Sequence, residues 1–180
     1  MRCTVYWCGE TQGPYVMAGM YSMDHQWRLQ TEPSRTRGNV SGLEIEARMP
    51  SEIKAISSLV DRLIRLIEET RCVSGEELGI ELALREALNN AVVHGNHLDP
   101  RKVVQVRCRC DMGKCVSIVV KDEGEGFDPE TIPDPSSVEN LEAEHGRGIL
   151  VMRSQMDEVT FESGDTEVHM LKKFSSDRKK

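Results

Sequence analysis

The chain has 180 residues, 38% of them hydrophobic, and a net charge of −7. This is enough for one domain with a core, and no apolar run approaches the roughly 20 residues needed to cross a bilayer. The start "MRCTVYWCGETQGPY" lacks the apolar centre of a signal peptide, so a cytoplasmic location is expected. The acidic residues are spread along the chain, which excludes the basic face of a general nucleic-acid binder, and "DRKK" at the end reads as a solvated tip.

Five of the eight aromatic residues fall in the first 27 positions: Tyr6, Trp7, Tyr15, Tyr21 and Trp27. Residues 1–42 show no sustained period and are rich in Gly, Ser, Thr and Arg. They are expected to form a loosely ordered arm, with "TEPSRTRGNVSG" (31–42) as its linker. Of the six cysteines, Cys3, Cys8, Cys72, Cys108, Cys110 and Cys115, none form a C-x2-C pair. "CRC" puts Cys108 and Cys110 on one face of a strand, and in a reducing cytosol all six are expected to be ordinary half-buried thiols. A metal site of Cys3, Cys8 and His25 is the weaker alternative.

"LEIEARMP" (43–50) alternates apolar and polar residues and ends at a proline, which predicts a strand. Ser51 then caps a helix over 52–70 whose Ile53, Ile56, Val60, Leu63, Ile64 and Ile67 form one stripe. Ser74 and Glu77 fit a capping box for a second helix reaching about His94, with Gly95 suited to the left-handed position after its end. Strands follow at 103–110 and 115–122 around the turn "DMGK". A polar segment with three prolines covers 128–145, and "GRGILVMRSQM" (146–156) predicts a helix with its methionines in the core. A hairpin of "EVTFE" and "TEVHMLKKF" around "SGD" closes the chain. The order β-α-α-β-β-loop-α-β-β predicts an α/β (α+β) two-layer sandwich, a mixed, mostly antiparallel sheet with helices on one face.

The second helix, "ELALREALNNAVVHGN" (81–96), carries polar residues inside an apolar pattern. Glu86 and Asn90 stand at i and i+4 and so share a face. A carboxylate there can take a proton, and an amide oxygen one turn later is a hard neutral ligand suited to Mg2+. The ordinary alternative is a solvated polar face. "DEGEGF" (122–127) puts Asp122 at a strand end before Gly124 and Gly126. "HGRGI" (145–149) opens a helix, where free N–H groups and the positive dipole end attract phosphate. Singly, each glycine pair also fits a plain turn. No G-x-x-x-x-G-K-[ST] is present, and "GEGFDP" lacks the third glycine of a dinucleotide fingerprint. His94 more simply packs or caps the helix end, while His145 has a lesser claim on phosphate.

Taken in order, E-x-x-x-N on a helix, D-x-G-x-G-F after a strand and G-x-G at a helix start resemble the N box and two glycine boxes of the GHKL superfamily. The residues that carry the resemblance are "LALREALNNAVVHGN", "VVKDEGEGFDP", "HGRGILVMRSQMDEVTF" and "GDTEVHMLKK", within 43–174. The match is closer to the anti-sigma-factor serine kinases of bacterial sporulation and general-stress switches than to the gyrase, MutL or histidine kinase types. Gly79 and the arm depart from that pattern. A histidine kinase would carry an upstream helix with a phospho-accepting histidine, and residues 1–50 hold only His25, outside any helical pattern. The gyrase and MutL types have a longer lid than 127–146 provides.

The resemblance implies a Bergerat ATP-binding fold over 43–174, followed by a short tail. It implies Glu86 as general base, Asn90 as the Mg2+ ligand and Asp122 as acceptor of the adenine amino group. Gly124 and Gly126 would shape the adenine side, Gly146, Arg147 and Gly148 would border the phosphates, and Thr166 would support the adenine–Asp122 contact. Asn89 takes no part. The implied activity is transfer of the γ-phosphoryl of Mg-ATP to a serine of a STAS-type anti-anti-sigma protein by a homodimer that also binds a sigma factor, without contact to nucleic acid or membrane. The alternatives are a nucleotide-gated binding module without transfer and, more weakly, an ATPase that drives a dimer clamp.

Overall fold

The computed structural model describes the backbone of residues 2–7, 15–20, 28–36, 39–69, 75–111, 114–126, 147–162, 164 and 166–174, and side chains from residue 44 onward. Two strands, β1 (Arg2–Trp7) and β2 (Tyr15–Met20), pair antiparallel with each other. The main sheet has six strands in the order β3-β4-β5-β6-β8-β7. These are β3 (Arg28–Thr36), β4 (Asn39–Pro50), β5 (Val103–Asp111), β6 (Cys115–Lys121), β7 (Glu158–Glu162) and β8 (Glu167–Lys173). All its neighbours are antiparallel. The strand expected at 43–50 therefore begins earlier, at Asn39, and residues 28–36, read as arm and linker, pair with it as strand backbone.

Three helices cover one face: α1 (Ile53–Glu69), α2 (Glu77–Asn89) and α3 (Arg147–Gln155). The strict alternation of the strands creates this layer. Ile45, Ala47 and Met49, Val104, Val106, Cys108 and Cys110, and Val116, Ile118 and Val120 are all buried, while their neighbours stay wholly or partly exposed. Against them pack the α1 stripe from Ile56 to Ile67 and the inner face of α2, together with Met152 and Met156. Ile53 departs from the expected stripe and is 55% exposed in the first turn of α1. On the open face, charges pair across strands, as Arg107 does with Glu46 at 2.9 Å and Lys121 with Glu167 at 3.0 Å. Such exposed pairs contribute about 0–1 kcal/mol each.

Three local expectations are corrected. The residue capping α2 is Glu76, with no side-chain cap bond, whereas Ser74 lies outside the described residues. The Ser51 hydroxyl is buried without a hydrogen-bond partner among the described residues; its backbone N–H instead donates to the Lys102 carbonyl at 3.1 Å. Cys110 is disulfide-bonded, while Cys108 and Cys115 are free thiols. Spacing along the chain does not disclose a bond made by residues that only folding brings together. Burial pushes the Cys108 thiol up to about 12, so it stays an inert, neutral core group. The expected segment 128–145, His145, Gly146 and the Cys3–Cys8–His25 metal site lie outside the residues whose side chains are described.

Helices α2 and α3 run antiparallel, because Gly148 faces Glu86 and Asn90 while Gln155 faces Gly79. A Cβ on Gly79 would stand 2.9 Å from Gln155 Oε1, the far end of a flexible side chain. Lys172 of β8 donates to the Gln155 carbonyl at 2.9 Å and lies 3.4 Å from Glu76. The cation is thus favoured by the carbonyl end of α3 and by the Glu76 carboxylate, which outweighs the positive end of α2 beside it. Met152, 0% exposed, anchors α3 beneath this crossing. Met152→Ala is expected to cost about 2–5 kcal/mol, seen in urea denaturation as a lower midpoint at an unchanged slope.

Candidate functional site

Helix α2 does not end as an α-helix. Asn90–Gly95 continues it as a π-helical segment, and the Asn96 N–H closes that segment on the Ala91 carbonyl at 2.8 Å. Such single turns accommodate an extra residue and often sit at functional sites. Gly95 is not left-handed, contrary to expectation. The positive φ angles fall on His97 (55°) and Leu98 (58°), a strain of about 1–3 kcal/mol each that persists only where the surroundings dictate it. The Leu98 N–H bonds the Val92 carbonyl at 2.9 Å, and the Asp99 N–H bonds that of Asn96 at 3.1 Å.

The reason for glycine at 95 is proximity. A Cβ there would lie 2.5 Å from Asp122 Oδ2 and 2.6 Å from its Oδ1. The helix end thus rests on the carboxyl of the residue that follows β6. A Cβ on Gly124 would in turn strike the Gly95 carbonyl. Gly126, with φ +79, is the one residue of this turn in the left-handed region, and a Cβ on it would collide with the carbonyl of Gly164 in the β7–β8 turn. "DEGEG" is therefore wedged between the end of α2 and the last hairpin.

Hydrogen bonds fix Asp122 from two sides. Its N–H donates to the Thr166 carbonyl at 3.0 Å, and its Oδ1 accepts from the Gly124 N–H at 2.7 Å. Burial raises its pKa above the ordinary value of 3.8, opposed by the Gly124 bond and by Lys102, His97 and Lys121. Beside it, Asn96 is fully buried. Its Oδ1 accepts from the Glu123 N–H at 2.8 Å, and its Nδ2 donates to the Val103 carbonyl at 3.2 Å. The sequence pattern marks neither Gly95 as a close-approach residue nor Asn96 as a link; the local cue is "GN" at the end of a polar-marked helix.

One to two turns before this junction, where α2 passes into the π-helical segment, Glu86 and Asn90 meet α3. A Cβ on Gly148 would stand 2.9 Å from Glu86 Oε2 and 3.3 Å from Asn90 Oδ1. The first turn of α3, with its positive dipole end, therefore abuts a carboxylate and an amide. Arg147 is exposed at that start. Gly146, also named from sequence, lies outside the described residues. Glu86 and Gly95 are nine residues apart, roughly 13 Å at helical rise, so an acceptor carboxylate and a helix start stand at opposite ends of one line. Among the described residues no cluster of three or more His, Cys, Asp or Glu is placed to hold a metal, and no helix is long and apolar enough to cross a membrane.

Residues 49–172 match the histidine kinase-like ATPase domain. The anti-sigma F factor of Heyndrickxia coagulans is 37% identical over 91 residues, 49% of this chain and 61% of that protein. The anti-sigma F factor of Geobacillus stearothermophilus is 36% identical over 86 residues, 47% of the chain and 58% of its own length. The chain thus spans about three fifths of the length of these two relatives. With the anti-sigma F factor of Oceanobacillus iheyensis the likeness is lower but longer, 26% over 155 residues, covering 83% of the chain and 97% of the relative. The domain match encloses Glu86, Asn90, Asp122 and Gly148 and takes in most of the chain, which therefore belongs to the histidine kinase-like ATPase domain family.

Proposed function

We propose that residues 43–174 bind Mg-ATP and transfer its γ-phosphoryl group to a serine of a small STAS-type protein, and that the chain also holds a sigma factor whose release depends on that partner. The observation that carries this reading is the approach of Glu86 and Asn90 to the backbone at Gly148, with 2.9 Å between Glu86 Oε2 and the missing Cβ. The anti-sigma names of the relatives support the partners.

Adenine binds at the Asp122 end. The Asp122 carboxylate accepts from the amino group, Thr166 holds the Asp122 backbone, and Gly124 and Gly126 shape that side by packing the turn against Gly95 and Gly164. The triphosphate extends along α2 toward Gly146, Arg147 and Gly148. Asn90 offers a neutral amide oxygen beside a backbone free of Cβ, a hard ligand that fits Mg2+, while the neighbouring Glu86 carboxylate is kept for the proton. When bound, the cation neutralises charge on the phosphate oxygens. Glu86 takes the proton of the attacking serine hydroxyl as its oxygen bonds to the γ-phosphorus and ADP leaves. A carboxylate so near the helix start favours transfer over binding alone, because binding needs no base.

Incubation with γ-labelled Mg-ATP and STAS-type proteins from the same source tests the reading. A labelled serine on one partner is expected, and ATP binding with no labelled partner would leave a nucleotide-gated binding module instead. Glu86→Gln is expected to keep ATP affinity and lose roughly 10²–10⁴ in transfer rate; transfer at the wild-type rate removes Glu86 as base. Asp122→Asn is expected to weaken ATP binding by about 1.5–3 kcal/mol, measured by calorimetry.

The same substitution has the opposite sign for the free protein. A carboxyl whose pKa is raised by folding contributes stability below 3.8 that is lost as pH climbs through its folded value. The ionised form of Asp122 therefore supports the fold less than its neutral form does. Asp122→Asn without nucleotide is expected to melt no lower than wild type, and adenine affinity is expected to decline on acidification from a pH above 3.8.

A further inference from the structure

Three residues from three elements are hydrogen-bonded in a closed ring. The Glu123 N–H donates to Asn96 Oδ1 at 2.8 Å, Asn96 Nδ2 donates to the Val103 carbonyl at 3.2 Å, and the Val103 N–H donates to Glu123 Oε2 at 2.9 Å. Asn96 ends the π-helical segment, Val103 begins β5, and Glu123 follows Asp122 in the turn after β6. Asn96 and Ser51 are the two buried polar side chains among the described residues, and Asn96 has both ends of its amide satisfied. A buried amide used on both ends ties together the backbones that it joins.

The ring lies next to the two residues in closest approach at the adenine end. Asn96 follows Gly95, and Glu123 follows Asp122, whose carboxyl rests against Gly95. The Thr166 carbonyl and Gly124 N–H hold Asp122 within the sheet and its own turn. Neither bond fixes that turn relative to the end of α2, where the ring acts. We propose that Asn96 and Glu123 are positioning residues that set the direction of the Asp122 carboxylate and thereby the preference for adenine over guanine nucleotides. This rests on the adenine assignment of Asp122 made above.

Glu123 is exposed, so its substitution leaves the core intact. The test is calorimetric binding of Mg-ATP and Mg-GTP to wild type, Asn96→Ala, Glu123→Ala, Glu123→Gln and Asp122→Asn, with melting temperatures alongside. Glu123→Ala is expected to reduce the ATP-to-GTP preference by about fivefold, the equivalent of one hydrogen bond, and Asn96→Ala by more. Glu123→Gln is expected to keep the preference, since its amide oxygen still accepts the Val103 N–H. Equal weakening of both nucleotides, or a Glu123→Gln variant that behaves like Glu123→Ala, overturns the positioning role. So does an unchanged preference in Glu123→Ala and Asn96→Ala while Asp122→Asn loses it. If Asp122→Asn itself keeps the preference, the adenine assignment fails first and the ring loses its purpose with it.

Discussion

The structure depends on one close approach, that of the end of α2 to the turn after β6. Gly95 has no room for a side chain because the Asp122 carboxyl occupies that space. Gly124 is constrained in return by the Gly95 carbonyl. The π-helical segment, the two left-handed residues after Asn96 and the buried amide of Asn96 all belong to the same junction. Each is unfavourable or demanding alone. Together they allow a helix lying on the sheet to end against a strand terminus without burying an unpaired polar group.

A second close approach fixes α3. Gly79 meets Gln155 at one end of the α2–α3 crossing and Gly148 meets Glu86 and Asn90 at the other. At both ends the place of the missing Cβ is taken by side-chain ends of the facing helix. The distance between the helices sets whether the start of α3 can share a ligand with Glu86 and Asn90. Lys172 strengthens the far end electrostatically by joining the end of α3 to Glu76 at the start of α2. Gly79, a departure from the family pattern in the sequence, faces the flexible end of Gln155.

Asp122 shows how function and stability diverge within this frame. Burial raises its pKa, and the Gly124 bond offsets only part of that. A carboxyl desolvated in this way supports the fold less when ionised than when neutral, yet its ionised form is a strong acceptor for a ligand that can donate to it. Its cost is carried by the surrounding core of α1, α2 and the inner sheet face, which has no such polar demands.

Periodicity alone determined the order of elements from 43 onward, the layer that each strand face joins and the burial of Met152 and Met156, because alternation and helical stripes are local properties. Asp122 at a strand end and Glu86 with Asn90 on one helix face were legible for the same reason. The tertiary structure alone decided what these residues meet: Gly148 over Glu86 and Asn90, Asp122 under Gly95, and Asn96 bridging Glu123 and Val103. It also decided the disulfide at Cys110, the Ser51 hydroxyl buried without a partner among the described residues, and the π-helical end of α2. These arise from residues remote in sequence or from space left between elements. A pattern can show that a glycine stands at a helix end; only packing shows whether it is there for its φ angle or for the atom that fills the place of its Cβ.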